Sequence, residues 1–199
     1  MAVIGELLFY NSNGLDLDSV LRYRASQGLS QAADAIPEAD FAKHKDEELA
    51  TRVAEQASMQ PLTVDFDKAE PQVAPATVTV RDFGRMITVK GYRVTKTIPF
   101  SGDSQLWALR TNPANFSPPH GEVRHGHLVI GIELPEGQAE RAADELDRTV
   151  ASIREYLGWQ AAQIQQHNAA LHGQALPLVQ QRRAYLNKGA ALLDGLKKR

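Results

Sequence analysis

The last third of the chain, residues 136–199, has the spacing of apolar residues that long, paired helices show. Its apolar positions follow one another mostly at intervals of four and three residues: Leu146, Val150, Ile153, Leu157, Ala161, Ile164 and Leu171. This spacing is close to a heptad repeat and predicts one amphipathic helix from Glu136 to about Leu171. At 1.5 Å per residue that helix is roughly 50 Å long, whereas a compact domain of this size is only about 40 Å across. The helix is therefore predicted to protrude or to lie along a partner.

A second helix is predicted to fold back on the first. His172 and Gly173 are typical of a helix C-terminus, and Pro177 is typical of a helix start. The sequence therefore predicts an antiparallel, coiled-coil-like hairpin over residues 136–199. Its apolar seam predicts a homo-oligomer, with a dimer as the first choice, or else packing on the protein's own sheet. The predicted oligomer interface consists of Leu146, Val150, Ile153, Leu157, Ile164, Leu171, Val179, Leu186 and Leu193.

Polar residues interrupt this seam. They are Gln160, His167 and Asn168 on the first predicted helix and Arg183 on the second. In coiled coils such residues set register and oligomer state at some cost in stability. They are predicted to do the same here if the hairpin is a dimerisation arm.

The whole chain predicts an α+β fold in three consecutive parts. Residues 1–59 have the pattern of helices, and residues 60–135 have the pattern of a mainly antiparallel sheet with roughly five to six strands. Residues 136–199 form the predicted helical hairpin. Helices before and after a sheet, rather than alternating with its strands, are typical of the α+β class.

Within the predicted sheet, Tyr92–Phe100 is the clearest strand, because polar and apolar residues alternate along it. A β-hairpin is predicted around Gly126, since glycine accepts the positive φ that a tight turn needs. Leu106–Leu109 is predicted as a further strand. Asp67–Ala76 contains two prolines and is predicted to be a linker.

Composition limits where the protein is expected to act. The chain has 199 residues, no cysteine and a formal net charge of −2. The lack of cysteine excludes disulfides and thiolate metal sites and fits a reducing compartment. No apolar run approaches the ~20 residues that a membrane helix needs. We therefore expect a cytoplasmic protein that has no contact with a membrane.

Potential metal ligands are densest in one short stretch. Its members are His120, Glu122, His125 and His127. Three imidazoles and a carboxylate are groups that zinc binds, but their spacing matches no known zinc signature. We interpret the stretch as an exposed hairpin. A zinc site, and with it a metal-dependent enzyme, is the alternative; otherwise no cofactor is expected.

Residues 73–135, which contain most of the predicted sheet, are the most basic part of the chain, with seven basic residues against four acidic ones. The seven are Arg81, Arg85, Lys90, Arg93, Lys96, Arg110 and Arg124. Together with the rings of Tyr92, Trp107 and Phe116, they suggest a nucleic-acid-binding module as the alternative function. The competing interpretation places Tyr92 and Trp107 in the core and assigns the charges to a hydrated face.

The sequence has no motif of a known catalytic centre. The carboxylate pairs Asp16/Asp18 and Asp65/Asp67 could hold magnesium, but no lysine follows them at the spacing that a nuclease core uses. A glycine-rich phosphate loop with lysine and a serine elbow between small residues are also absent from the sequence. The chain by itself is therefore not expected to be an enzyme.

Three stretches carry a resemblance to a known group of proteins. They are Ile98–Leu106, Ser117–Val129 and the set of segments between Ser152 and Arg183. Over about residues 60–199 the chain resembles uncharacterised bacterial proteins that end in a restriction-endonuclease-like domain of the PD-(D/E)xK type. The resemblance implies a non-catalytic module for interaction, oligomerisation or sensing that precedes a nuclease effector, in cis or in trans, and acts in defence against phage.

The chain departs from that group in one respect. No aspartate followed by Glu-x-Lys on paired strands is found, and the sequence reaches Lys197-Lys-Arg199 where the nuclease domain would begin. The resemblance therefore carries no nuclease activity over to any residue of this chain.

Overall fold

A computed structural model describes residues 2–198 and shows helices together with an antiparallel sheet, which confirms the predicted α+β class. The described residues form two compact units. Unit 1 contains the residues up to Leu17 together with Gln60–Ala161. Unit 2 contains Asp18–Met59 and the residues from Ala162 onward. Each unit therefore combines two separate stretches of sequence, which a division in chain order does not reveal.

Unit 1 is built on a seven-stranded sheet in which every strand pair is antiparallel. The strands are β1 (Ala2–Val3), β2 (Glu6–Leu7), β3 (Thr63–Val64), β4 (Glu70–Asp82), β5 (Arg85–Ser101), β6 (His120–Arg124) and β7 (His127–Pro135). The hydrogen-bonded order is β2-β6-β7-β5-β3, with β1 also on β7 and β4 also on β5. The predicted strand Tyr92–Phe100 lies within β5. The predicted hairpin at Gly126 joins β6 to β7, and the φ of this glycine is +81°.

One face of this sheet is the core of unit 1. Side chains two residues apart on a strand point to the same face. The buried residues Leu128, Ile130, Ile132 and Leu134 therefore form one row on β7. Ile132 and Leu134 pack with Ala142, which begins the last helix of the chain, α5 (Ala142–Lys197). A 3-10 helix over Glu136–Arg141 connects β7 to α5.

Unit 2 is helical. It contains α1 (Leu17–Tyr23) from Asp18 onward, α2 (Leu29–Asp34), α3 (Glu38–Lys43), α4 (Asp46–Ala57) and the part of α5 from Ala162 onward. A π-helical turn over Arg24–Gly28 joins α1 to α2. The core of the unit consists mainly of Leu29, Ala33, Phe41, Leu49, Val53, Leu171, Ala175 and Val179.

The C-terminal third is one helix, so the predicted antiparallel hairpin is wrong. α5 passes through residues 172–177 without interruption. The reason lies in the row Leu171, Ala175 and Val179, whose members are four residues apart and all buried in the core of unit 2. Burying this row offsets the roughly 3 kcal/mol that a proline costs inside a helix. No helix among the described residues, α5 included, is both long enough and apolar enough to cross a bilayer.

Replacement of Pro177 tests this correction. Pro177 is exposed and lies inside α5, where it lacks the N–H that would donate to the fourth residue before it. Pro177→Ala is expected to raise the free energy of unfolding by about 2 kcal/mol, because better helix propensity outweighs the greater freedom of the unfolded chain. Urea denaturation measures it, with the exposed helical substitution Gln174→Ala as a nearly neutral control. A loss of stability in Pro177→Ala would instead indicate a chain reversal at this residue.

The predicted linker Asp67–Ala76 is mostly strand. A short 3-10 turn covers Phe66–Lys68, and β4 begins at Glu70. Prolines at positions 71 and 75 are tolerated because, among the described strands, β4 pairs only with β5. Proline lacks the N–H of a ladder hydrogen bond and is therefore confined to such edge strands.

The predicted strand Leu106–Leu109 is also wrong. Ser104–Ala108 forms a 3-10 helix. Its start is set by Asp103, whose carboxylate accepts a 2.9 Å hydrogen bond from the backbone N–H of Gln105. This local bond competes with strand formation, as acidic side chains often do at helix N-termini.

Candidate functional site

The predicted metal ligands lie along the β6–β7 hairpin. His120 and Glu122 are on β6, His125 is in the turn, and His127 begins β7. The Glu122 carboxylate already accepts a 2.6 Å hydrogen bond from the guanidinium of Arg124. In the part of the chain that the structure describes, no group of three His, Asp or Glu side chains is placed to hold a metal ion. This arrangement favours the exposed-hairpin interpretation over a zinc site.

The seven predicted nucleic-acid contacts do not share one surface. Arg93, Lys96 and Arg124 each lie near a carboxylate, at N···O distances of 3.9, 2.9 and 2.6 Å. Their partners are Glu133, Asp147 and Glu122, in that order. Arg110 lies apart from them, in a loop where its carbonyl oxygen accepts the N–H of Leu17 at 2.9 Å. The structure thus leaves Arg81, Arg85 and Lys90 as the basic residues that are grouped together.

These three residues lie on a two-stranded ribbon. The last β5–β7 pair is Gly91↔Pro135, but the β4–β5 ladder continues for six more pairs to the turn at Phe83–Gly84. Among the described strands, none joins the ladder beyond that point. We call residues 77–90 the β-ribbon. Its three basic side chains have no ion pair with any other described side chain.

The tip of the β-ribbon is an exposed apolar residue in an unfavourable backbone conformation. Phe83 has a φ of 41° and Gly84 a φ of 82°. Positive φ at both central residues is the type I′ turn geometry that Asn-Gly adopts best, and a non-glycine residue there costs roughly 1–2 kcal/mol. The ring of Phe83 is fully exposed, and Met86 is 69% exposed. Apolar groups left in water beside polar ones mark interaction surfaces.

Phe83 is not among the residues that the sequence predicts as functional. The available signal was Gly84, a turn residue between the two β-branched runs Thr77–Val80 and Met86–Val89. That signal predicts a hairpin but does not reveal that Phe83 is free of packing. Of the rings proposed for base stacking, Trp107 is buried and packs against Phe9, with ring centroids 5.3 Å apart. Trp107 is therefore a core residue.

Most of the predicted oligomer interface lies inside the chain's own core. Leu146, Ile153, Ile164, Leu171 and Val179 are at most 3% exposed. Val150, Leu157 and Leu186 are half-buried, and Leu193 is exposed. Predicting the five buried residues as an oligomer interface is wrong, because their row is already covered within the chain.

The polar residues of the seam bind backbone groups of the same chain rather than a partner. Gln160 Nε2 donates to the carbonyl oxygen of Leu106 at 3.0 Å. The Asn168 side chain both donates to the carbonyl oxygen of Met59 and accepts its N–H, at 2.9 and 3.1 Å. The guanidinium of Arg183 donates to the carboxylate of Asp46 and to the carbonyl oxygens of Phe41 and His44. Each of these hydrogen bonds joins α5 to another segment of the same unit.

Two groups that are shielded from solvent have shifted pKa values for the same structural reason. Burial raises the pKa of the Tyr156 hydroxyl and lowers the pKa of the His167 imidazole, because desolvation penalises the charged form of each. Tyr156 bonds with Asn115, and His167 lies against the carbonyl oxygen of Ala57. Both shifts are explained by packing and indicate no acid–base pair.

The end of α5 is a second exposed surface. All residues from Asn187 to Lys198 are exposed. Tyr185, Leu192 and Leu196 are 74%, 72% and 71% exposed and, at intervals of seven and four residues, lie on one side of the helix. Leu193, at 53% exposure, adjoins them. We call residues 185–197 the C-terminal segment; of its apolar residues, the sequence prediction includes Leu186 and Leu193.

Comparisons of the chain with protein-family models, with curated proteins and with solved structures give no match. The resemblance to nuclease-bearing proteins therefore stays a prediction, and so do the role in phage defence and the cytoplasmic localisation. The two exposed surfaces, the β-ribbon and the C-terminal segment, are the features on which a function can rest.

Proposed function

We propose that this chain is a non-catalytic interaction module that forms a homodimer through the C-terminal segment. One observation carries the proposal: Tyr185, Leu192 and Leu196 present a continuous apolar side of α5 to solvent. Helices of this kind are stable in water when another helix covers the apolar side. A second copy of the chain offers the same side.

The energetics fit a reversible dimer. Full burial of a leucine-sized side chain contributes roughly 1.5–3 kcal/mol. Covering Tyr185, Leu192 and Leu196 of two copies therefore contributes on the order of 12 kcal/mol before costs. Association itself costs an estimated 4–15 kcal/mol. The remainder is small, so the dimer population should depend on protein concentration.

The segment is complementary to itself in an antiparallel arrangement. If Tyr185 lies opposite Leu196 of the partner subunit, then Gly189 lies opposite the partner's Leu192. The same register places Lys188 across from the partner's Leu193, five positions along the helix from the partner's Lys188. A parallel pairing would place Lys188 opposite its own copy. We therefore propose the antiparallel arrangement.

Pairing would also give the C-terminal end of α5 the tertiary contacts that it lacks within one chain. Residues 187–197 are helical although every side chain among them is exposed. The end of a helix frays in water where no tertiary contact covers it. Dimerisation would therefore stabilise the last turns of α5, and dilution should reduce their helicity.

The resemblance to nuclease-bearing proteins suggests what such a dimer would be for. A dimeric module brings together two copies of any effector that is attached or bound to it. We propose that a nuclease partner would be positioned in this way. This half of the proposal rests on the resemblance alone.

Light scattering after size-exclusion chromatography tests the dimer. The native chain is expected to show a mass that rises from monomer to dimer with increasing concentration. Leu192→Glu/Leu196→Glu is expected to stay monomeric at every concentration, because it places charges at the centre of the interface. Glutamate retains good helix propensity, so the variant should keep its fold.

Phe116→Ser is the matched control, since Phe116 is also an exposed apolar residue but lies in a loop outside α5. It is expected to dimerise like the native chain. A native chain that stays monomeric, or a Leu192→Glu/Leu196→Glu variant that still dimerises, would refute the proposal.

A further inference from the structure

We infer that the β-ribbon is an arm that binds double-stranded DNA, with Arg81, Arg85 and Lys90 on phosphates and Phe83 inserted between bases. This inference concerns a surface separate in sequence from the C-terminal segment and does not depend on the dimer. One short hairpin carries an unpacked aromatic ring and three exposed cations that have no ion pair with any described side chain.

The dimensions of the β-ribbon suit a DNA groove. Six strand pairs separate the turn from the last position at which β7 supports the hairpin. At about 3.3 Å per residue, the turn lies roughly 20 Å beyond that support, and the four pairs beyond the buried side chain of Val78 extend roughly 13 Å. The major groove of B-form DNA is wide enough for a two-stranded ribbon, whereas the major groove of A-form RNA is too narrow for side chains to read.

The cations are placed on both faces of the β-ribbon. Arg81 and Met86 are a cross-strand pair and therefore share one face with Lys90, which lies at an even position on β5 like Met86. Arg85 and Ile87 occupy the opposite face by the same alternation. A ribbon inside a groove has a phosphate backbone on each side, so cations on both faces match it. A flat anionic surface would favour cations on one face.

Among the side chains that the structure describes, no carboxylate pairs with these cations, which distinguishes them from Arg93, Lys96 and Arg124. Arg93, Lys96 and Arg124 are neutralised by nearby carboxylates, whereas the described side chains offer the three β-ribbon cations none. The chain as a whole has a net charge of −2, so a basic arm is a local exception. Unpaired cations attract phosphate and release its counterions on binding.

The exposed ring of Phe83 is the reason why we propose duplex DNA rather than any other surface that carries phosphate groups. Its ring is fully exposed at the tip, and its φ of 41° is one that asparagine or glycine would adopt more easily. Nothing in the described chain packs on the ring to compensate. Two-stranded ribbons enter either groove of DNA, and proteins that enter the minor groove insert such apolar wedges between base steps. Insertion would bury the ring and account for an otherwise unfavourable residue.

Fluorescence anisotropy with a labelled DNA duplex, measured over a series of salt concentrations, tests the inference. The native chain is expected to bind with a log–log salt slope of about −2.7, since each neutralised phosphate contributes about −0.9. Arg81→Gln/Arg85→Gln/Lys90→Gln is expected to lose about tenfold or more in affinity at low salt and most of the slope.

Phe83→Asn separates the wedge from the charges. Asn-Gly suits the type I′ turn, so this variant should fold at least as well as the native chain. It is expected to bind about tenfold more weakly with an unchanged salt slope, because stacking does not release counterions. The control Arg22→Gln/Lys43→Gln/Arg148→Gln changes the net charge equally at exposed sites outside the β-ribbon and should keep native affinity.

Three results would overturn the inference. The first is a native chain that does not bind the duplex at low salt. The second is a control triple variant that loses as much affinity as the β-ribbon triple variant. The third is equal or tighter binding to double-stranded RNA or to vesicles containing phosphatidylserine, which would assign the arm to another partner.

Discussion

Replacing Tyr156 with alanine is expected to lower the free energy of unfolding by about 4 kcal/mol. Tyr156 is among the largest fully buried side chains of the protein. Its ring stacks on Phe9 with centroids 4.8 Å apart and meets the edge of Trp159 at 5.0 Å. Alanine loses these contacts and leaves a cavity that the surrounding strands and helix fill only in part. Urea denaturation followed by tryptophan fluorescence measures the change.

Tyr156→Phe is the matched control, because it removes the hydroxyl and keeps the ring. The hydroxyl donates to Oδ1 of Asn115 at 2.8 Å and accepts the backbone N–H of the same residue at 3.2 Å. Losing these bonds is expected to cost about 1–2 kcal/mol. Equal losses in Tyr156→Ala and Tyr156→Phe would show that the ring itself adds nothing to the core, contrary to the packing described.

Replacing Gly91 with alanine is expected to lower the free energy of unfolding by about 3 kcal/mol, because the added methyl group overpacks the sheet. A Cβ atom at this position would lie 2.2 Å from the carbonyl oxygen of Leu134 and 2.7 Å from a methyl group of Val78. The carbonyl oxygen belongs to the β5–β7 ladder and cannot retreat without loss of strand pairing. Because Gly91 lies where the β-ribbon leaves the sheet, the substitution should also weaken DNA binding.

Gly158→Ala is expected to change the free energy of unfolding in the opposite direction. Gly158 is an exposed residue of α5, and a Cβ atom there would meet nothing within 4 Å. Alanine should raise the free energy of unfolding by about 0.5–1 kcal/mol, since glycine loses more backbone entropy in a helix. Thermal and urea denaturation of both variants give the comparison. A stabilising Gly91→Ala substitution would mean that β5 and β7 are not as close as described.

Local sequence patterns predicted those parts of the fold that depend on neighbouring residues. The strand Tyr92–Phe100 is confirmed because alternation of polar and apolar residues reflects a sheet with one buried face. The turn at Gly126 is confirmed because its positive φ is a property of a few consecutive residues. Long-range packing reversed other predictions. The predicted stop before Pro177 is overridden by the buried row around Ala175, whose neighbours come from residues more than a hundred positions earlier.

The candidate surfaces were predictable in part. The three cations of the β-ribbon were predicted as basic residues of the sheet, but the sequence could not separate them from Arg93 and Lys96. Their separation depends on which cations folding brings within 4 Å of a described carboxylate. The exposure of each apolar residue on α5 is also decided by folding. The spacing of apolar residues along the sequence does not show which helix positions pack against a core. Only the packed units show that Ile164 is buried and that Leu192 is not.

The sequence by itself determined the α+β class, the β-hairpin at Gly126 and the amphipathic character of the last helix, because periodicity and turn chemistry act over a few residues. Only the tertiary structure decided that α5 continues through Pro177 and that most of its apolar seam is internal. It also decided that Phe83 and Leu192 stay in water. The physical reason is that burial is a property of contacts between distant segments, and a residue's own sequence neighbourhood does not contain those contacts.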